Sequence, residues 1–157
     1  MAKFMYRMQN ILNIKYKVEE QVKAEFADAN YRYNLEVDKL NSYVSKKHML
    51  EEELKELYRS KLDLKKIRNT IASIDKMKEL IELQIIEVNK ANEVVEQVRE
   101  KLAEAMIDRK THETLKEKAF EEFLEELKKE DDKVIDELVA YRFRTDEKQD
   151  LDWIRII

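Results

Sequence analysis

The sequence predicts an all-α fold: two long helices that pair as an antiparallel coiled-coil hairpin. Three observations carry that expectation. The 157 residues contain no Gly and no Pro, although these two make up about a tenth of an average chain and supply most of its turns. Turn-rich sheets and phosphate-cradling loops need positive φ or close backbone approach, which Gly provides; what remains is a fold with few turns and long helices. Second, apolar residues form 43% of the chain and recur at helical spacing, unlike the aliphatic-poor composition of disordered segments. Third, 42% of the residues are charged and the mean hydropathy is -0.71, so the apolar residues form a stripe on each helix and not a globular core.

The first arm is expected over about residues 4–66. Its stripe runs Val22, Phe26, Ala29, Tyr33, Val37, Leu40 and Val44. Those steps make an eleven-residue repeat, the period of a nearly straight helix. Upstream the stripe extends through Phe4, Met8, Ile11 and Val18, and downstream through Leu50, Leu54 and Leu57. The turn is placed at about 67–73, where Asn69, Thr70 and Ser73 are helix-capping types. The second arm, about 74–144, carries a heptad seam of Ile81, Gln84, Val88, Ala91, Val95, Val98, Leu102 and Ala105. The seam turns polar at Arg109, His112 and Lys116 and resumes at Ala119 and Phe123. His112 and its neighbours read as a register break, as a place where the seam meets Glu25 and Asp28 of the first arm, or as a polar notch that binds a partner. Residues 145–157 lose the pattern and form a tail holding the only Trp, Trp153. That tail reads as packed back or mobile, or as a short docking peptide.

Charge favours a hairpin over a single unbroken helix in a parallel dimer. Residues 1–18 carry Lys3, Arg7, Lys15 and Lys17 with no acid, and 117–137 are crowded with Glu and Asp. A fold near residue 70 sets these stretches side by side, whereas a parallel dimer sets the acidic stretch against its own copy. Exposed pairs are worth about 0–1 kcal/mol each, so they select topology more than they stabilise it.

The 31 basic and 35 acidic side chains leave a net charge of -4, without the strongly basic balance of a nucleic-acid binder. No apolar run approaches the roughly 18 residues that cross a bilayer. Zero Cys leaves no disulfide and fits a cytoplasmic location. The two histidines, His48 and His112, stand alone, so no metal site and no cofactor are expected. Carboxylate pairs such as Glu51-Glu52 and Asp131-Asp132 have no concave pocket to shift their acidity on a two-helix fold and read as solvated face. Tyr31, Tyr33, Tyr43 and Tyr58 suggest base stacking, but cations do not cluster around them; apart from Tyr33 on the stripe they read as partner-facing or half-exposed. No enzyme is expected.

KFMYRMQNILNIKYKVEEQVKAEFADA is similar to the opening of the flagellar export protein family FliJ, and VEQVREKLAEAMIDRKTHETLKEKAFEEF resembles that family's second half. In the latter the matching positions are Arg99, Leu102, Ala105, Arg109, Lys110, Leu115, Lys116 and Glu117. Asp136, Glu137 and Leu138 fall where the family tends to place an acidic pair before its last helical turns. The likeness covers about residues 3–144 and departs in the tail, so Trp153 inherits no role. It implies a soluble component of the flagellar type III export apparatus at the cytoplasmic face of the basal body. Its implied role is central stalk and adaptor of the hexameric export ATPase (FliI), linked to the export gate protein (FlhA) and to export chaperones. The implied ATPase contact is Phe4, Arg7, Met8 and Ile11 with Asp136, Glu137 and Leu138. The implied gate contact is Leu54, Tyr58, Ile81 and Ile85. The other reading is a generic coiled-coil spacer or homodimer with no ATPase partner.

Overall fold

The computed structural model describes the backbone of residues 2–156 and the side chains of residues 2–144. Two helices account for almost all of it: α1, Gln9–Arg59, and α2, Leu64–Ile156. No strand occurs among the described residues, and the helices pack as an antiparallel hairpin.

The turn occupies residues 60–63 and comes earlier than the 67–73 expected from capping residue types. The cap is Asp63. Its Oδ1 accepts hydrogen bonds from the backbone N–H of Lys65 at 3.2 Å and of Lys66 at 3.4 Å, satisfying donors that the first helical turn leaves open. Thr70 and Ser73 lie inside α2, where their hydroxyls donate to the carbonyls of Lys66 (2.9 Å) and Asn69 (3.0 Å). Such bonding four residues back is the other local option open to Ser and Thr. The turn needs no Gly, because no described residue has positive φ. At the far end, the backbone of α2 stays helical to Ile156, past the expected boundary near 144. The reading of Trp153 as a docking group lies outside the described side chains.

By compactness the chain divides into two units, residues 14–109 and residues 1–13 with 110–157. The first is a closed hairpin. Val22, Ala29, Ile67, Ile74 and Val95 are its buried apolar residues. The heptad seam of the second arm faces inward as expected, with Gln84 and Val95 buried and Ile81, Val88, Ala91, Val98, Leu102 and Ala105 half-buried. Gln84 is held by the first arm: its amide donates to the Glu36 carbonyl at 2.8 Å and to the Glu36 carboxylate at 2.5 Å. Arg99 lies 5.9 Å over the ring of Phe26, a cation–π contact.

The other unit joins the amino-terminal segment to the later part of α2. Leu12 is its one fully buried apolar residue among those described. Phe4 meets Phe120 edge-on at 5.1 Å and Phe123 at 5.4 Å, geometries that aromatic quadrupoles favour.

Upstream of Val22 the inward face differs from the expected stripe. Met8, Ile11 and Val18 are each at least 40% exposed, whereas Leu12 and Glu19 are buried. Lys15 and Glu19 occupy inward positions and bond to charges on α2: Lys15 to Asp108 at 2.8 Å, and Glu19 to Arg109. Arg109 therefore meets Glu19, not Glu25 or Asp28. Glu25 pairs with Lys101 at 2.9 Å, and Asp28 with Arg32 on its own helix. Moving the turn toward the amino terminus shifts every cross-arm pair in the same sense. For the same reason only the start of the acidic stretch 117–137 lies beside the amino-terminal segment, where Phe4 reaches its partners at Phe120 and Phe123.

Candidate partner-binding surfaces

Residues that face each other across a coiled coil hold it together, so partner contacts must come from what the seam leaves exposed. In the unit built from both chain termini, the seam ends at Phe123 and Leu127. From Lys128 to Arg144 every described side chain is exposed. The run includes Val134 at 55%, Ile135 at 56% and Leu138 at 63% exposure, with Val139 and Phe143 following. Val134 and Leu138, and likewise Ile135, Val139 and Phe143, are four apart and share one helical face. Leu138 belongs to this face, with Asp136 and Glu137 exposed on its flank.

The expected ATPase-contact residues all belong to this unit but form two groups. Phe4 is half-buried against α2, while Arg7, Met8 and Ile11 are exposed. Asp136 lies thirteen residues beyond Phe123, roughly 20 Å farther along the helix axis. The structure thus offers an amino-terminal patch and a separate helical face. The sequence reading missed Val134, Ile135 and Val139, although their spacing of four residues was visible.

The expected gate-contact residues all lie in the hairpin of residues 14–109. Leu54 and Ile81 are half-buried in the seam, whereas Tyr58 (56%) and Ile85 (44%) are exposed. Tyr58 sits at the end of α1, and Ile81 is seventeen residues into α2, so at about 1.5 Å per residue these residues span more than one patch. A shallow groove of about 450 Å³ opens beside Ile81, lined by Tyr43, Leu80, Leu83, Ile86 and Lys90 among others. Leu83 and Ile86 had not been singled out; both lie off the heptad seam, and only the packing shows them outward.

Arg109, the first residue of the polar break in the seam, belongs to an internal ion-pair cluster. Glu19 is 4% exposed and takes Arg109 from the opposite helix and Lys23 from its own, the latter at 3.4 Å. His112 is half-buried in the other unit. His48 is exposed. No His/Cys/Asp/Glu group among the described residues has the arrangement of a metal site, and no helix there is long and apolar enough to cross a membrane.

Fold and surface together define a class: an all-α coiled-coil hairpin with apolar residues left exposed outside its seam. The model of the flagellar FliJ protein family matches residues 4–148, and the chain belongs to that family. No curated protein and no solved structure matches it. Membership makes it a flagellar export component.

Proposed function

We propose that the chain is the central stalk and adaptor of the hexameric flagellar export ATPase (FliI), linking it to the export gate protein (FlhA) and to export chaperones. It acts by binding and is not itself an enzyme, and it works at the cytoplasmic face of the basal body. Beyond family membership, one observation supports the reading. The carboxy-terminal part of α2 presents Val134, Ile135, Leu138 and Val139 on a helix with every described neighbour from 128 to 144 exposed. An amphipathic helix with apolar anchors four residues apart is suited to a groove or a pore lined by other subunits. The ring cycles among states; a helix that binds one state better than another biases assembly and turnover without touching nucleotide. Phe4, Arg7, Met8 and Ile11 supply a second contact to the ring, and Leu54, Tyr58, Ile81 and Ile85 serve the gate.

Capture of the purified ATPase by the tagged chain tests this. Val134→Asp with Leu138→Asp is expected to abolish capture at unchanged helicity, because neither residue supports the hairpin; Arg7→Ala with Met8→Ala is expected to weaken it. Full capture by the first pair overturns the reading. A self-association lost in the same variant, with no ATPase bound, assigns the face to a homodimer.

A further inference from the structure

The hairpin apex has a composition unlike the rest of the molecule. Between residues 59 and 68 stand five cations, Arg59, Lys61, Lys65, Lys66 and Arg68, and one carboxylate, Asp63, in a chain whose net charge is -4. The Asp63 carboxylate is engaged in capping α2. Arg59 pairs loosely with Glu56 at 3.7 Å, and the other four cations have no ion-pair partner among the described residues. All five are exposed. Lys65 and Lys66 moreover fall in the first turn of α2, which contains no acid. There the helix dipole disfavours positive charge, so their placement does not serve the helix.

Apolar side chains share this apex. Leu62 and Leu64 are each 70% exposed and Tyr58 is 56% exposed. They flank a four-residue turn that joins the ends of two helices. Leucines at such a turn, ringed by lysines whose long stems let the ammonium groups reach outward, match a fluid surface that is apolar within and anionic at its boundary. Nucleic acid offers the charge but nothing for the leucines.

We propose that the apex, through Leu62 and Leu64 with Lys61, Lys65, Lys66 and Arg68, docks on an anionic phospholipid bilayer surface. The leucines enter the headgroup boundary and the cations gather acidic headgroups, each cation contributing about a fivefold gain in partitioning. Docking is peripheral, since no described helix can cross the bilayer. It is independent of the ATPase reading, because it involves neither terminus of the chain.

Flotation of the full chain with vesicles tests it. The chain is expected to float with phosphatidylcholine vesicles containing phosphatidylglycerol, not with phosphatidylcholine alone, and to be released as salt screens the charges. Lys65→Ser with Lys66→Ser should weaken binding roughly 25-fold, and Leu62→Ser with Leu64→Ser at least about tenfold, both at unchanged helicity by circular dichroism. No binding to acidic vesicles overturns the proposal. So does binding that both double variants leave intact, which would move the lipid contact to the cations of residues 3–17. Loss of gate-protein binding in the apex variants, with no vesicle binding by the parent, assigns the apex to protein docking.

Discussion

Glu19 and Arg109 show how single residues set the register. The pair lies in the helix interface, and Glu19 also takes Lys23. An interior carboxylate needs its cation, because desolvation is offset only by close pairing. Removing one partner costs more than replacing both with apolar groups. Glu19→Ala should therefore lower unfolding stability by about 3 kcal/mol, and Glu19→Leu with Arg109→Leu should return to within about 1 kcal/mol of the parent; chemical denaturation midpoints decide between them. Equal losses in the single and double variants would mean the pair does not hold the arms. The place of Glu19 in the interface was hidden in the sequence for a physical reason. A search for apolar stripes steps from Val22 to Val18 and Ile11, while the interface continues through Glu19 and Lys15 because their opposites are Arg109 and Asp108.

The elements were more legible than their ends. The heptad from Ile81 to Ala105 faces inward as its spacing implied, and so do the polar residues that continue its seam: Arg109, His112 and Lys116 are all half-buried. Periodicity over so many turns leaves one solution. The turn was misplaced because Asn, Thr and Ser signal caps only when their side chains reach an open N–H, and within α2 Thr70 and Ser73 bond backward instead. Asp63 does reach those groups. Asp63→Ala should accordingly cost about 1 kcal/mol, whereas Asn69→Ala, an exposed interior helix position, should be neutral or slightly stabilising. Thermal unfolding of the two variants measures this. A larger loss for Asn69→Ala would return the cap to the region first expected.

At the scale of the whole molecule, charge and apolar exposure are distributed unevenly along the chain. The apex of residues 59–68 is basic with exposed leucines, and residues 128–144 balance five acids against five bases around an exposed apolar face. Neither surface was read as such from the sequence. Exposure depends on where the partner helix stops, and that follows from the turn; with the turn at 60–63, α2 outruns the segment that covers it. Only Leu138 with its acidic neighbours had been singled out on the later surface, by resemblance and not by periodicity. The two surfaces thus differ in chemistry, which is what the proposed adaptor role requires.

The most direct measurement is ATP hydrolysis by the export ATPase titrated with this chain. The stalk assignment predicts saturable stimulation that accompanies ring assembly and disappears with Val134→Asp and Leu138→Asp at unchanged helicity. Hydrolysis and assembly indifferent to saturating chain would contradict it and leave a coiled-coil spacer.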